Sequence, residues 1–298
     1  MEGIFIDRRG FLKSAAAAVA AGAGLAAGAA SGYSDESRFD LLPKGVQLGM
    51  LPQNLSDSEK FKLAKSCGFD GIEASPIDDR AAARKQGELA RAAGVPIHSI
   101  VFGGWRTPFS DPDPAIVEKG LRGMEAALHS AKAMGAETVL LVPAVVTEHV
   151  RYADAYERSQ RHIRKVLPIA EETGVVIAVE NVWNKFLLSP IEFARYVDEF
   201  ESPWLRAYFD VGNVVAFGYP EDWIRTLGKR IVKVHLKDFK RGPHQWAPLR
   251  EGDVDWPEVR RALAEVGYTG FVTCELGGGD ETYLRDVAAR MSRIGVGE

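Results

Sequence analysis

Eight short β-rich runs alternate with longer amphipathic segments between Lys44 and the C-terminus, and this alternation constrains the fold more than any other feature. Strands are read at 46–50, 71–74, 95–102, 138–142, 175–180, 205–210, in the run that begins at Arg230, and at 271–275. Helices are read at 56–67, 78–93, 115–134, 152–173 with a break near Pro168, 190–200, 222–227, 256–266 and 281–293. The stretch 239–254 is read as a long loop. Gly68, Gly94, Gly174 and Gly267 stand where helices stop, and Ser189-Pro190 reads as an N-cap with proline at the first helical position. Eight such units in about 255 residues predict an α/β protein, a single-domain (β/α)8 TIM barrel over 44–298. The competing fold, a doubly wound open sheet, would carry a glycine-rich phosphate loop after its first strand. Gly49-Met50-Leu51-Pro52-Gln53-Asn54 is not one.

The chain ahead of the barrel has a different composition. Asp7-Arg8-Arg9-Gly10-Phe11-Leu12-Lys13 is a twin-arginine pair followed by an apolar pair and a lysine, and residues 14–30 run uncharged and rich in Ala and Gly. It resembles a Tat export signal over 1–30, with Ala27-Gly28-Ala29 as the peptidase site and 31–43 as a solvated linker. Ala and Gly are too weakly hydrophobic for a stable membrane span, so the expected partner is the Tat machinery and the expected location periplasmic or extracellular. A formal net charge of -4 leaves no general attraction to nucleic acid. Two cysteines, Cys67 and Cys274, supply neither a disulfide framework nor a Cys-rich zinc motif.

Strand parity then selects a site. Counting back by twos, Glu180 shares a face with Ala178 and Val176, Asp210 with Tyr208 and Arg206, His235 with Lys233, and Glu275 with Thr273 and Phe271. The opposite faces are more uniformly apolar and belong against the helices, so the four residues point into the barrel at the strand ends where parallel α/β proteins bind ligands. Cys274 points outward on the same count. Carboxylates crowded at one mouth repel unless a cation neutralises them. Three carboxylates and an imidazole form an oxygen-rich set for one divalent metal; Mn2+ is expected first, with Mg2+, Co2+ or Zn2+ as alternatives.

Val179-Glu180-Asn181, Phe209-Asp210-Val211-Gly212-Asn213, Val234-His235-Leu236-Lys237-Asp238 and Cys274-Glu275-Leu276, in this order, resemble the sugar phosphate isomerase/epimerase superfamily of xylose isomerase-like TIM barrels, and within it the ketose 3-epimerases. The resemblance implies that Glu180, Asp210, His235 and Glu275 hold the metal and that Glu180 and Glu275 are also the acid/base pair. It places Arg241 on substrate oxygens. Asn213 stands where many relatives have a second histidine, and Leu187 where some epimerases have a supporting glutamate. Trp105, Lys237 and Asn184, with the neighbouring Trp183 and Lys185, are further candidates for the substrate pocket; Glu73 and His98 are candidates to support the site.

The expected function is that of a metal-dependent isomerase or epimerase of a small sugar, moving a proton through a metal-stabilised enediolate with two glutamates. The alternatives are a lyase or hydrolase acting on 3-keto glycosides and a non-catalytic exported sugar-binding barrel. A homodimer is a further expectation.

Overall fold

The structure, a computed structural model, describes residues 42–296. The twin-arginine stretch and most of the linker lie outside the described residues. Eight strands close into a barrel: β1 (Lys44–Gln47), β2 (Gly71–Ala74), β3 (Ile97–Gly103), β4 (Thr138–Leu141), β5 (Val176–Glu180), β6 (Leu205–Asp210), β7 (Ile231–Leu236) and β10 (Val272–Cys274). Every neighbouring pair is parallel, and β1 closes the ring against β10. Two three-residue strands, β8 (Asp238–Lys240) and β9 (Gln245–Ala247), form an antiparallel hairpin just after β7.

The helices are α1 (Asp57–Cys67), α2 (Arg80–Ala92), α3 (Pro114–Met134), α4 (Tyr152–Thr173), α5 (Pro190–Asp198), α6 (Val211–Val215), α7 (Pro220–Leu227), α8 (Trp256–Glu265) and α9 (Glu281–Val296). Their ends follow local chemistry. Ser56 and Glu59 close a capping box on α1, Gly68 takes φ 97° behind it, and Ser189 caps α5 ahead of Pro190. Two sequence expectations are corrected, and one short helix is added. Helix α4 runs unbroken through Pro168, because a buried face from Ala155 through His162 and Val166 to Ala170 packs it in place despite the lost backbone bond. Helix α6 follows β6 without a loop, since Asp210, the last strand residue, is itself the helix cap. The long loop at 239–254 contains the β8–β9 hairpin.

The outward strand faces meet the helices in one large core that includes Val46, Ile72, Val139, Ile177, Phe209, Val234 and Cys274. Inside the barrel, Leu140, Ala178 and Tyr208 form a separate small cluster. Around the ring β2 and β6 stand diametrically opposite, yet Tyr208 OH donates to Glu73 Oε1 at 2.6 Å. That bond can only cross the lumen, so both side chains point inward. Lower in the lumen the His98 and Phe271 rings stack 4.0 Å apart and nearly parallel. The absence of a side chain at Gly71 makes room for them, as a Cβ there would sit 2.5 Å from the Phe271 ring.

Candidate metal centre

The mouth of the barrel is assembled from the ends of consecutive strands. Asn181, just past β5, locks to the end of β6: its Nδ2 donates to the Asp210 carbonyl at 2.8 Å and its Oδ1 accepts from the Asp210 backbone N–H at 2.9 Å. Asp210 Oδ1 accepts from the Asn213 backbone N–H at 2.7 Å, which fixes the carboxylate with Oδ2 left over. Asn213 Nδ2 in turn donates to the Asn181 carbonyl at 2.9 Å. Gly212 lets the next strand approach, because a Cβ there would lie 2.5 Å from Lys237 Cβ.

His235 is fully buried at the centre. Its Nδ1 lies 2.9 Å from Glu180 Oε1, 2.9 Å from Glu275 Oε2 and 3.9 Å from Asp210 Oδ2. Its Nε2 lies 2.7 Å from Glu73 Oε2, which also accepts from Gln47 Nε2 at 3.1 Å, while Glu73 Oε1 takes the Tyr208 hydroxyl. The imidazole is thus oriented by a buried carboxylate on one side and faces three carboxylates on the other. Such a carboxylate behind the far nitrogen is the usual means of fixing a ligating histidine. Sequence reading placed Glu73 near the site and gave Tyr208 no role; a tyrosine two residues before Asp210 on the inward face was the available signal.

Burial works to lower the His235 pKa, but Glu73, Glu275 and the bond to Glu180 outweigh it and hold the imidazole well above its ordinary value. Burial works to raise Glu73, yet the charge and hydrogen bond of His235 and the Tyr208 hydroxyl bring it down to about 2. Glu180 goes the other way: burial, reinforced by the Glu275 carboxylate, pushes it up to about 7. Burial also works to raise Glu275, but His235 and Lys237 hold it well below the usual carboxylate range. Asp210 is raised, chiefly by burial. Without a metal, the two neighbouring carboxylates are therefore shifted in opposite directions, Glu180 up and Glu275 down.

The donor set fits a divalent metal. Glu180, Asp210, His235 and Glu275 each offer a ligand atom, and these atoms lie within 4.8 Å of one another. Lys237 Nζ stands 3.1 Å from Asp210 Oδ2 and 2.7 Å from Glu275 Oε2 as a charge contact, yet both buried oxygens lack a directed hydrogen bond. Three carboxylates packed together carry more negative charge than the Lys237 ammonium offsets, and a hard cation neutralises the remainder.

The other candidates have the following surroundings. Arg241 donates from Nε to the Val215 carbonyl at 2.9 Å and from its terminal nitrogens to the carbonyls of Gly218 at 3.1 Å and Asp253 at 3.4 Å. Asn184 is buried, donating to the Ala144 carbonyl and accepting from the Phe186 N–H. Leu187 is buried in the hydrophobic core. Trp105, in the loop after β3, is 50% exposed. His98 sits in the lumen 3.2 Å from Thr273 Oγ1, its pKa lowered well below the ordinary value, mainly by burial.

The structure is a closed parallel barrel with three carboxylates and a histidine gathered at its C-terminal mouth, and comparison with known proteins gives the family. The profile of the xylose isomerase-like TIM barrel family matches residues 61–294, and the chain belongs to that family. SgbU of Escherichia coli K12 is 31% identical over 254 residues, covering 78% of this chain and 87% of SgbU. The L-ribulose-5-phosphate 3-epimerase UlaE of Escherichia coli K12 is 28% identical over 281 residues, covering 86% of this chain and 98% of UlaE. Among solved structures, a D-tagatose 3-epimerase-like protein superposes with TM-score 0.74 at 18% identity, covering 86% of this chain and 98% of that one, which shows a shared fold.

Proposed function

We propose that the chain is a metal-dependent sugar epimerase that inverts a carbon beside a ketose carbonyl, with Mn2+ as the metal held by Glu180, Asp210, His235 and Glu275. The observation that carries this reading is that Glu180 and Glu275, from β5 and the end of β10, both approach the same His235 nitrogen at 2.9 Å. Two carboxylates sharing one ligand set can address one substrate carbon. A bound metal supplies Lewis-acid stabilisation of the negative charge that develops on the substrate oxygens. Glu180 and Glu275 carry the proton: one takes it from the carbon beside the carbonyl, the other returns it on the opposite face. Glu73 and Tyr208 hold the His235 ring, and Asn181 and Asn213 hold Asp210.

The family membership and the epimerase name of UlaE support the assignment. The experiment is deuterium exchange in D2O with manganese-loaded protein, screened over free ketoses, ketose phosphates and 3-keto glycosides. Exchange at the carbon beside the carbonyl without bond cleavage is the expected result. Release of an aglycone would instead make the chain a lyase, and binding without exchange would make it a binding protein.

Residues 1–30 are proposed as a twin-arginine export signal, with the barrel acting outside the cytoplasm. Replacing Arg8 and Arg9 by lysine is expected to leave the protein in the cytoplasmic fraction; unchanged fractionation would remove this part of the reading.

A further inference from the structure

Beside the metal centre lies an aromatic platform that the proton transfers do not use. Trp183, three residues after Glu180, stacks on Trp246 of β9 with 5.0 Å between ring centroids and 18° between planes, and on His244 at 5.7 Å and 23°. Phe239 of β8, fully buried, meets these rings edge-on from beneath the hairpin. The Trp183 indole N–H donates to the Asn213 carbonyl at 2.8 Å, and Lys237 Nζ, 2.7 Å from Glu275, is 5.5 Å from the Trp246 centroid. The platform is therefore tied to the metal centre twice, through Asn213 to Asp210 and through Lys237 to Glu275. Asp238 secures the hairpin by accepting from the backbone N–H groups of Phe239, Arg250, Gly252 and Val254 and from the Trp256 indole.

For all this anchoring, 43% of Trp183 and 48% of Trp246 stay exposed. Packed, half-exposed indoles beside a polar centre suit a ligand with one apolar face and a hydroxylated edge. A pyranose ring has that shape: its axial C–H groups pack on an aromatic face while its hydroxyls remain in water. A phosphate instead requires free, geometrically matched cations. Of the three cations that follow His235, Arg241 is committed to three carbonyls and the face of Tyr219, Lys237 is committed to Asp210 and Glu275, and Lys240, paired with Gln245 in the hairpin, falls on the face opposite Phe239 and Trp246.

We propose that Trp183 and Trp246 form a stacking subsite for an uncharged sugar ring linked to the reacting one. The substrate class is then a glycosylated ketose or keto sugar, in preference to a sugar phosphate. The inference rests on the epimerase reading for the identity of the reacting unit, while the platform itself is a binding site that can be measured without turnover.

Three probes share one ketose and differ only at its last oxygen: D-fructose, isomaltulose (a glucosyl-fructose) and fructose 6-phosphate. In calorimetric titrations of the manganese-loaded full chain, isomaltulose is expected to bind about tenfold more tightly than fructose, the size of one good ring stack. Fructose 6-phosphate gains no such advantage. Trp246→Ala removes the preference, so that isomaltulose and fructose bind alike, whereas Trp246→Phe keeps most of it and guards against misfolding as the explanation. Equal affinities for isomaltulose and fructose, tightest binding of the phosphate, or a preference that survives Trp246→Ala would each overturn the proposal. Deuterium exchange run on the same samples separates the two readings: preference without exchange removes the epimerase and keeps the platform, and exchange without preference does the reverse.

Discussion

Two lysines four residues apart on the same side of the β7 chain show how differently the two ends of the barrel treat charge. Lys233, near the strand's start, is buried with its Nζ 3.8 Å from the largely exposed Glu137 and 5.3 Å from the centroid of the Phe271 ring. Burial is the main influence on it and pulls its pKa down. Lys237, one residue past the strand's end, is also largely buried, and burial again works to lower its pKa. There Asp210 and Glu275 outweigh burial and drive it up. The ammonium at the base is merely tolerated. The one at the mouth answers an excess of carboxylate gathered there by the strand ends, a donor set that fits the proposed dication.

The comparison breaks most visibly at Glu275. Glu275→Gln removes a proton carrier that is also one of the four ligands, so at saturating Mn2+ deuterium exchange is expected to fall by about 10²- to 10⁴-fold. Unimpaired exchange would take Glu275 out of the mechanism. Next comes the carboxylate behind the histidine: Glu73→Gln is expected to weaken Mn2+ binding about 10- to 100-fold in a chelator competition, and unchanged affinity would reduce the Glu73–His235 bond to packing.

The lysines themselves sharpen the contrast. Lys237→Met in metal-free protein leaves the carboxylates facing one another and is expected to cost about 1–3 kcal/mol in urea unfolding, a loss that added Mn2+ recovers. Lys233→Met, which replaces a poorly paired buried ammonium by an apolar chain of similar length, is expected to stay within about 1 kcal/mol of the parent or to gain stability. Equal losses in both variants would erase the distinction.

Protonation gives a subtler test. Without metal, Glu180 is raised to about 7 and His235 is raised well above its ordinary value, so near neutrality both retain protons that metal ligation must displace. Affinity for Mn2+ is therefore expected to rise as pH increases from about 6 to about 8, with protons released on binding. Calorimetry in buffers of different ionisation enthalpy measures that release, and a pH-independent affinity with none would contradict the assignment of ligands.

What the sequence revealed follows the reach of each signal. Strand parity is a period-two rule independent of distant contacts, so it put Glu180, Asp210, His235 and Glu275 on inward faces, where they meet. Contacts across the lumen are invisible to parity: the Glu73–Tyr208 bond joins residues 135 apart on opposite strands and depends on how the ring closes. Short elements escaped for a related reason. Helix α6 has five residues and each arm of the β8–β9 hairpin three, too few for a period to register. The hairpin matters most, since it brings Trp246 back over Trp183 across sixty-odd residues of chain. Pro168 misled because a local helix breaker was outweighed by a buried face that only tertiary packing supplies.

The central claim is that a single divalent ion is chelated at the barrel mouth by these four side chains. Anomalous diffraction from crystals grown with Mn2+ tests it directly. One peak within about 2.0–2.6 Å of ligand atoms from Glu180, Asp210, His235 and Glu275 is the predicted result. No peak there, or a peak held by other residues, would contradict it.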